Sequence, residues 1–500
     1  MNKKTVLCKQ GYLLKKKYYD KATLDTFRND LTVVPHISGD YGKKPEKFKV
    51  YRENDDYLAL PKYYGIKKLG KPDVNKENMG ESVSFNFKGE LREAQNNIMK
   101  QVLNSMNNDG GGLLCLGCGQ GKTVMGLYVA SIFKVKTLVI VHKSFLLNQW
   151  KERAEQFTDA NIGIIRQNKI DIDGKDIVIG MLQSISKEKY DEELFSDFGL
   201  VIFDEAHHAP SKYFSRALPV IACKYTLALS ATPERTDRLE KVLYWYFGDI
   251  LYKAPKKCND KVLVKMFKYH SDDKKFKEIR FSYNGKLCIA KTLNNIIRIE
   301  ERNDFIINLL IKYKSEEPER KILLLGDRIE QLENIKTKFD THELCSSDFY
   351  IGRMKQKQLK LAEEADILFA TYSMASEALD IPMLNTLFLI TSRKNVEQSV
   401  GRILRKSDHV VQPLIVDIVD NIKVYVNQGY QRRRFYKSLN YNIETCDVIN
   451  NEIQNIQLLN KKNNVSDEPI EKEIINNDIF VDSDTDSDTD SNPENISIKN

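Results

Sequence analysis

Three glycines, Gly117, Gly119 and Gly121, lie between an apolar run and a segment that begins with Lys122 and Thr123. Backbone N–H groups of such a loop can converge on phosphate oxygens at a helix N-terminus, where the helix dipole also favours anions. The lysine would supply a positive charge to the β- and γ-phosphates, and the threonine a hydroxyl to Mg²⁺. Residues 113–125 therefore predict a strand, a phosphate-binding loop and a helix.

Asp204 and Glu205 directly follow the apolar run 200–203. Hydrolysis of a nucleotide needs one carboxylate to hold Mg²⁺ and a second to orient or deprotonate the attacking water, roles that suit Asp204 and Glu205 respectively. An Asp-Glu pair alone is usually a solvated surface feature. At the end of an apolar strand, in the same domain as Gly-Lys-Thr, the pair indicates a hydrolytic site.

The elements that must position these groups alternate between strands and helices from about residue 81 to 250. A helix is predicted over 91–106, and the runs TLVIVH, DIVIG, LVIFDEAHH and YTLALSATP are predicted strands. SFLLNQWKERAEQF has the spacing of an amphipathic helix. Such alternation after a phosphate loop predicts an α/β nucleotide-binding domain with a parallel sheet.

A second parallel-sheet domain is predicted over 301–445, from the strand candidates KILLLGDR, DILFATY, NTLFLI and LIVDIV. Residues 251–300 are predicted to link the domains and begin the second. This domain has no phosphate loop, but its QSVGRILR segment contains Gln398, Arg402 and Arg405. Such arginines can reach the γ-phosphate from a facing domain and stabilise charge during transfer.

Both ends of the chain differ from this middle part. Residues 1–80 alternate aromatics with lysines and are broken by glycines and prolines, which predicts a small module with strands rather than helices. Its lysines and tyrosines suit nucleic-acid contact or half-buried strands equally well. Residues 446–500 are rich in Asn, Ile, Asp and Ser, include DSDTDSDTDS, and predict a disordered acidic tail.

Composition agrees with a protein that works inside a cell. The chain has 500 residues, 41% of them hydrophobic and 29% charged, with a net charge of +7 that permits a polyanionic partner. No secretory or membrane-spanning run is present, so we expect no membrane contact and no secretion. The eight cysteines are scattered. Cys115 and Cys118 form a C-x-x-C within the phosphate loop, where a metal site is disfavoured.

Residues 90–410 resemble a superfamily 2 helicase, with the motifs in order. LREAQ is similar to the adenine-reading Q motif, LGCGQGKT to motif I and VHKSFLLNQW to motif Ia; DEAHH is similar to motif II, SATP to motif III, ATYSMASEALDIP to motif V and QSVGRILR to motif VI. Leu116 stands where the general phosphate-loop pattern has glycine, as this superfamily tolerates. The sequence around motifs II and III resembles the XPB-like group, which includes phage UvsW and the transcript-release helicases of poxviruses and other large DNA viruses.

The resemblance implies two tandem RecA-like domains, ATP and Mg²⁺ as cofactors, and DNA or RNA as partner. The nucleotide would be bound by Gln95, Leu116, Gly117, Cys118, Gly119, Gln120, Gly121, Lys122 and Thr123. Mg²⁺ would be held by Thr123 and Asp204. The catalytic groups would be Lys122, Asp204, Glu205, Gln398, Arg402 and Arg405. A monomeric motor in the nucleus, a cytoplasmic virus factory or a virion is expected, with transcription or repair machinery as possible partners.

Three functions remain compatible with the sequence. The first is an ATP-dependent helicase that unwinds duplexes or displaces transcripts or proteins. The second is a nucleic-acid-stimulated ATPase that remodels complexes without separating strands. The third is a nucleic-acid-binding structural protein with a vestigial ATPase, which the residues of motifs I, II and VI disfavour.

Overall fold

The computed structural model describes residues 4–36, 45–117, 119–187, 190–235, 237–255, 261–281, 285, 287–352, 354–377, 381, 383–401 and 410–459. Within them lie one small sheet near the N-terminus and two larger sheets of eight strands each. No helix in these ranges is long and apolar enough to cross a bilayer.

The N-terminal region is a five-stranded sheet with order β5-β6-β2-β1-β7, flanked by two helices and a separate strand pair, β3-β4. Its elements are β1 (Thr5–Cys8), β2 (Gly11–Lys15), α1 (Lys21–Asp30), β3 (Thr32–Val33), β4 (Phe48–Lys49), β5 (Arg52–Glu53), β6 (Tyr57–Leu60), α2 (Lys62–Leu69) and β7 (Val74–Asn75). The strands are short, as the glycines and prolines predict, but the two helices were not expected. The side chain of Asp20 caps α1 by accepting a hydrogen bond from the Thr23 N–H at 2.7 Å.

Helix α2 approaches the small sheet closely because it contains Gly65. A Cβ atom at this position would lie 2.3 Å from Cγ of Tyr12, on β2. The other side of α2 faces the first large domain, where the rings of Tyr64 and Trp245 meet edge to face at 5.5 Å. The apolar core of the N-terminal region is continuous with one side of the first large sheet. The region therefore has its own sheet but not its own core.

The first large sheet has the order β11-β10-β12-β9-β13-β14-β8-β15, and all its pairs are parallel except β10 with β11. Its elements are α3 (Glu93–Asp109), β8 (Gly111–Cys115), α4 (Lys122–Phe133), β9 (Thr137–Val141), α5 (Ser144–Phe157), β10 (Ile162–Arg166), β11 (Lys169–Asp171), β12 (Ile177–Met181), α6 (Leu182–Lys187), β13 (Leu200–Phe203), β14 (Tyr225–Ser230), α7 (Glu240–Phe247) and β15 (Ile250–Lys253). Strands β8, β9, β12 and β13 are buried throughout, as expected for a parallel sheet covered on both faces.

Strand order in this sheet brings the predicted motifs together. Strand β14 lies between β13 and β8, with Ala228 opposite Phe203 and Ser230 opposite Cys115. The carboxyl ends of parallel strands meet at one edge of a sheet. The phosphate loop after β8, the carboxylates after β13 and the end of β14 are therefore neighbours.

The second large sheet has the order β18-β19-β17-β20-β21-β16-β22-β23 and is parallel except for β22 with β23. Its elements are β16 (Leu263–Tyr269), α8 (Ile289–Ile296), α9 (Glu300–Glu316), β17 (Ile322–Gly326), α10 (Ile329–Asp340), β18 (Ser347–Tyr350), α11 (Gln356–Ala362), β19 (Ile367–Thr371), α12 (Tyr372–Glu377), β20 (Thr386–Leu389), α13 (Glu397–Val400), β21 (Leu414–Asp420), α14 (Lys423–Ser438), β22 (Asn442–Ile449) and β23 (Glu452–Leu459). The predicted fold class, two tandem α/β domains with parallel sheets, is confirmed.

The segment 251–300, predicted to link the domains and begin the second, starts instead inside the first domain. Strand β15 is the edge strand of the first sheet and pairs in parallel with β8. Strand β16 then lies in the interior of the second sheet, between β21 and β22. Lysines interrupt the apolar pattern of β16, which hid it from sequence analysis. Lys265, for example, places its ammonium 3.4 Å from Glu444 on the next strand.

The prediction of a disordered tail from residue 446 is wrong for residues 446–459. Strands β22 and β23 form a hairpin there, and the buried Ile443 and Val448 hold β22 against the core. Asn450 and Asn451 form the turn with φ values of 51° and 60°. A two-residue turn with positive φ at both positions favours asparagine, so the pair Asn-Asn was the missed signal. Residues 460–500 lie outside the described ranges.

Candidate functional site

The phosphate loop is joined at its base to the strand that carries motif III. The N–H of Leu116 donates to the carbonyl oxygen of Ser230 at 3.0 Å. Gly119 and Gly121 have φ values of 73° and 83°, a left-handed conformation that glycine adopts without strain. Gly121 then caps α4, which begins at Lys122. The loop thus reaches a helix N-terminus with the geometry predicted for anion binding.

Two glutamine side chains form hydrogen bonds with the backbone of this loop. The Gln120 side-chain oxygen accepts the N–H of Gly117 at 3.0 Å, and its carbonyl oxygen accepts Nε2 of Gln95 at 3.1 Å. Gln95 is buried, and its Oε1 accepts the N–H of Arg92 at 2.9 Å. A Cβ at Gly121 would lie 2.3 Å from Gln95 Nε2. The predicted adenine-reading glutamine therefore contacts the phosphate loop directly.

Lys122 lies between the loop and the carboxylates. Its Nζ donates to the carbonyl oxygen of Leu116 at 3.3 Å and lies 3.6 Å from Oε1 of Glu205. Thr123, the predicted hydroxyl ligand of Mg²⁺, follows in the first turn of α4 and is half-buried. Cys118, predicted within the same loop, lies outside the described residues.

Both carboxylate oxygens of Asp204 accept hydrogen bonds from the protein. Its Oδ2 accepts the indole N–H of Trp150 at 2.7 Å, and its Oδ1 accepts the N–H of Glu205 at 3.0 Å. Burial, followed by the neighbouring charge of Glu205, raises the pKa of Asp204 to about 6, although Lys122 acts to lower it. A nearby cation would favour the ionised form, as expected for a group that holds a metal ion.

Glu205 connects motifs I, II and III. Its backbone is left-handed, with φ of 46°, which is unusual for a residue with a side chain. Its Oε2 lies 3.4 Å from Nδ1 of His207, and that nitrogen lies 3.2 Å from the hydroxyl of Ser230. Arg235 donates to the carbonyl oxygen of His207 and is held by an ion pair with Asp237. These contacts form a continuous path from Lys122 to the end of β14.

Two further histidines, His142 and His208, pack behind this path. The rings of His142 and His208 are 4.0 Å apart, and those of His207 and His208 are 4.3 Å apart. Burial, with a smaller contribution from Lys143, lowers the pKa of His142 to about 3. Burial also lowers the pKa of His207 and His208. The cluster is therefore uncharged at neutral pH and adds packing rather than positive charge.

The structure describes only part of the predicted site in the second domain. Gln398 lies on α13 and is half-buried. Arg402 and Arg405 lie outside the described residues, as does Asp380 of motif V. Glu377 is the last residue of α12. The proximity of these groups to the first domain therefore remains a prediction.

The loop that leads to α13, residues 390–393, is held by buried side chains. Arg302 Nη2 donates to its first carbonyl at 2.7 Å, the Tyr372 hydroxyl to its second at 2.7 Å, and Arg432 Nη1 to its last at 2.6 Å. Arg302 and Arg432 are each less than 2% exposed. Charge-assisted hydrogen bonds from the two arginines fix the backbone of this loop. The helix that carries Gln398 therefore follows a rigid segment.

Trp150 is the functional contact that sequence analysis missed. It lies on the apolar face of α5 and is 1% exposed. Its ring fits against α4 because residue 126 is glycine, where a Cβ would lie 3.1 Å from the tip of the indole. The chain contains only two tryptophans. Rarity was thus the one available signal, because the spacing of Trp150 is also that of an ordinary core residue.

The donor set suits Mg²⁺ bound together with a phosphate group. Asp204 and Thr123 offer hard oxygen ligands, and Mg²⁺ usually takes one or two protein ligands with water and phosphate completing its shell. Among the described residues no group of three or more His, Cys, Asp or Glu could hold a metal ion alone. Asp204 and Thr123 therefore fit a metal ion that binds together with a nucleotide.

Comparison with known proteins identifies the family of the chain. A family model described as the res subunit of type III restriction enzymes matches residues 88–235. The chain is 36% identical over 505 residues to a putative ATP-dependent RNA helicase of Acanthamoeba polyphaga mimivirus, covering 98% of this chain and 95% of the relative. It is 28% identical over 407 residues to the DNA 3'-5' translocase XPB2 of Sulfurisphaera tokodaii, covering 73% and 90% respectively.

Two further matches agree with these. A putative helicase of Invertebrate iridescent virus 6 is 26% identical over 419 residues, covering 80% of this chain and 92% of the relative. Among solved structures, the ATP-dependent type ISP restriction-modification enzyme LlaBIII bound to DNA matches with a TM-score of 0.51 at 17% identity, covering 71% of this chain and 30% of that one. The latter similarity is one of fold, with two RecA-like domains. The chain belongs to the superfamily 2 helicases, in the group that includes XPB and the helicases of large DNA viruses.

Proposed function

We propose that this chain is an ATP-dependent nucleic-acid motor that couples hydrolysis to duplex unwinding or to displacement of transcripts or proteins. The observation that carries the proposal is the arrangement around Glu205. Its carboxylate lies 3.6 Å from the phosphate-loop lysine, Lys122, and 3.4 Å from His207, which in turn reaches Ser230. A vestigial nucleotide site would not need to keep groups from motifs I, II and III in contact.

In this mechanism the phosphate loop and Lys122 hold the β- and γ-phosphates of ATP. The N–H of Gly117 points to the side-chain oxygen of Gln120, an acceptor that a phosphate oxygen would replace. Lys122 would exchange its long contact with Glu205 for the nucleotide. Movement of Gln120 would also displace Gln95, because Gln95 Nε2 donates to the carbonyl oxygen of Gln120. Base and phosphate recognition are thereby linked.

Asp204 and Glu205 would divide the remaining chemistry. Thr123 and Asp204 would hold Mg²⁺, which neutralises phosphate charge. Glu205 would orient the attacking water and accept its proton, because its carboxylate lies 3.6 Å from Lys122 and both oxygens of Asp204 already accept hydrogen bonds from the protein. The left-handed backbone at Glu205 fixes the direction of this side chain.

Coupling to the second domain would pass through Gln398, Arg402 and Arg405. We expect these residues to approach the γ-phosphate when the two domains close, and to lose that contact after hydrolysis. Closure is then favoured by ATP over ADP, since a ligand shifts a conformational equilibrium only by its differential affinity for the two states. The rigid loop 390–393 supports this role, because it gives Gln398 a fixed starting point.

The track can be DNA or RNA. The mimiviral relative is named as an RNA helicase and the archaeal relative as a DNA translocase, so family membership supports either polymer. We assign residues 1–80 a role in contacting that polymer, on the basis of their interleaved lysines and tyrosines. Among the described residues, five such contacts of lysine with a tyrosine or tryptophan ring involve this region or its interface with α7, among them Lys17 with Tyr18 and Lys49 with Tyr51.

The proposal is tested by the ATPase rate of the purified chain, alone and with single-stranded DNA, duplex DNA, branched DNA or RNA. We expect one polymer to stimulate the ATPase rate. We expect Glu205→Gln to lower the stimulated rate by about 10²- to 10⁴-fold. Glu333→Gln, which changes an exposed glutamate of α10, is the matched control. Equal rates with every polymer, or full activity in Glu205→Gln, would contradict the proposal. Parallel strand-displacement and protein-displacement assays would distinguish unwinding from remodelling.

A further inference from the structure

Helix α14 has an unusual charge pattern. Its 16 residues, KVYVNQGYQRRRFYKS, include no aspartate or glutamate. Five of them are cationic: Lys423, Arg432, Arg433, Arg434 and Lys437. A solvated helix face normally mixes both signs, because pairs of opposite charge three or four residues apart stabilise an exposed helix. Such pairs cannot form within α14.

The inner face of α14 is fixed to the second sheet. Arg432 is buried and forms two hydrogen bonds of 2.8 Å with the carboxylate of Asp417, on β21. The hydroxyl of Tyr436 donates to the same carboxylate at 3.0 Å. Gly429 lets the helix approach the sheet, since a Cβ there would lie 2.8 Å from Val419. One of the five cations is therefore neutralised in the core, and the helix cannot rotate.

The outer face of α14 presents a straight polar stripe. Its residues recur every three or four positions and all are exposed: Lys423, Asn427, Tyr430, Arg434 and Lys437. From first to last they span about 21 Å at the helical rise per residue. Tyr430, at the middle of the stripe, is 40% exposed, and the guanidinium of Arg433 lies 4.9 Å from the centre of its ring. A solvent-exposed aromatic ring thus lies between cationic side chains on this face.

We propose that this outer face binds a single strand of nucleic acid, a site that rests on the proposed function as a nucleic-acid motor. Lys423 at one end of the stripe and Arg434 and Lys437 at the other suit phosphates of the strand, and Tyr430 between them offers a face on which a base stacks. Charge complementarity selects a polyanion, and the exposed ring selects one with bases. DNA and RNA share this chemistry.

The two faces of α14 would connect the strand to the ATP site. Arg432 holds the carbonyl of Arg393 and the hydroxyl of Ser392, at 2.6 Å and 2.9 Å, in the loop that leads to Gln398. A helix anchored in this way moves with the loop as one body. A strand bound on the outer face is therefore carried by the same rigid unit that supports motif VI.

The test compares two double charge reversals in the full-length protein. Lys423→Glu/Arg434→Glu changes the stripe. Lys291→Glu/Lys357→Glu, on the exposed faces of α8 and α11, changes the net charge equally and is the matched control. Binding of labelled single-stranded DNA and RNA is measured over a series of salt concentrations. The stripe variant should bind at least tenfold more weakly, with a salt dependence shallower by about two phosphate contacts, and should keep the basal ATPase rate.

A further pair of variants isolates the ring. Tyr430→Ala should lower affinity for single strands about tenfold, and Tyr430→Phe should not. Equal weakening of the stripe variant and its control would overturn the inference, because net charge alone would then explain the effect. Tighter binding by the stripe variant would also overturn it. That result would mean that the chain's own acidic residues 482–490, and not nucleic acid, bind this face. Failure of the wild-type chain to bind or respond to any polymer would instead overturn the proposed function.

Discussion

At the scale of single residues, the contact between Trp150 and Asp204 orients the carboxylate that we propose holds Mg²⁺. The indole N–H and the N–H of Glu205 occupy one oxygen each, at 2.7 Å and 3.0 Å. Hydrogen bonds behind a metal ligand fix its orientation, and their loss commonly costs 10- to 100-fold in metal affinity. Trp150 is in this sense a positioning residue. It also links α5, the helix of motif Ia, to motif II.

Trp150→Phe should therefore weaken Mg²⁺-dependent nucleotide binding by about 10-fold or more while the protein remains folded. The phenyl ring keeps most of the packing but has no N–H to donate. The measurement is a Mg²⁺ titration of the binding of a fluorescent ATP analogue. Trp245→Phe, on α7 against Tyr64, is the control. Equal Mg²⁺ dependence in the two variants would show that the indole hydrogen bond has no positioning role.

His142 should make the protein sensitive to acid. Neither ring nitrogen has a hydrogen-bond partner among the described residues, and burial lowers the pKa of His142 to about 3. The unfolded chain, with an ordinary histidine pKa, then binds more protons between pH 6.5 and 3. Stability contributed by the neutral ring is therefore present above that window and is lost as the pH falls through it.

His142→Phe should reduce this acid sensitivity, because phenylalanine keeps an uncharged ring beside His208. We expect the drop in melting temperature between pH 7.5 and pH 5 to be smaller in the variant than in the wild type. His342→Phe, which changes an exposed histidine, should leave the drop unchanged. An identical drop in all three proteins would mean that other groups determine the acid response.

Residues whose chemistry follows from local sequence were predictable, and those that act through space were not. Lys122, Asp204 and Glu205 lie together as their motifs predict. The contact of His207 with Ser230 joins residues 23 positions apart, and that of Trp150 with Asp204 joins residues 54 apart. Both depend on strand order, which periodicity does not specify. Gln120 was predicted to contact the nucleotide, but its hydrogen bond with the N–H of Gly117 was not, because the motif does not specify the partner of this side chain.

At the scale of elements, the approach of α2 to β2 depends on the absence of a side chain at residue 65. Gly65→Ala would place a Cβ 2.3 Å from the ring of Tyr12. Alanine is the better helix former by about 1 kcal/mol, but overpacking of this kind typically costs about 1–3 kcal/mol and displaces one element. The cost of overpacking should exceed the gain in helix propensity, because Tyr12 is fully buried and cannot move aside.

We therefore expect Gly65→Ala to lower the free energy of unfolding, measured by chemical denaturation. Gly352→Ala, where among the described residues no atom beyond the chain neighbours lies within 4 Å of the new Cβ, is the control and should be neutral. A variant at residue 65 as stable as the wild type would show that α2 can shift without cost.

The sequence predicted the strands whose residues are completely buried. It did not predict strands whose residues are only partly buried. The runs of β9, β13, β17 and β20 are almost entirely apolar and are buried throughout, so composition alone identified them. Strand β16 lies in the interior of its sheet but carries lysines whose stems lie along the surface, and β23 is almost fully exposed. Neither has an uninterrupted apolar run. Their positions follow from pairing with neighbours, and pairing is a tertiary property.

At the scale of the whole molecule, the N-terminal region and the first large domain share one apolar core. Buried residues such as Leu14 and Leu58 belong to the same cluster as Phe203 and Phe247. Polar contacts add to it, since the hydroxyl of Tyr246 donates to the carbonyl of Val50 at 2.9 Å. A region that covers an apolar face cannot be removed without exposing that face to water.

Deletion of residues 1–80 should therefore abolish cooperative folding of the motor, rather than only weaken nucleic-acid binding. Thermal unfolding and size-exclusion chromatography of the shortened chain are the measurements, and we expect aggregation and loss of basal ATPase activity. Deletion of residues 460–500 is the control and should leave the melting temperature unchanged. A soluble, cooperatively folding ATPase that lacks residues 1–80 would refute the shared-core interpretation.

The parallel pairing of β15 with β8 has a mechanical consequence. The chain leaves the first sheet through β15, and β8 is the strand that ends in the phosphate loop. Tension between the two sheets would pull β15 along its own axis, so its hydrogen bonds to β8 would bear the force together, in shear, instead of breaking one after another. The same pairing delivers that force to the base of the phosphate loop. Resisting load and sensing it would then be properties of one pair of strands.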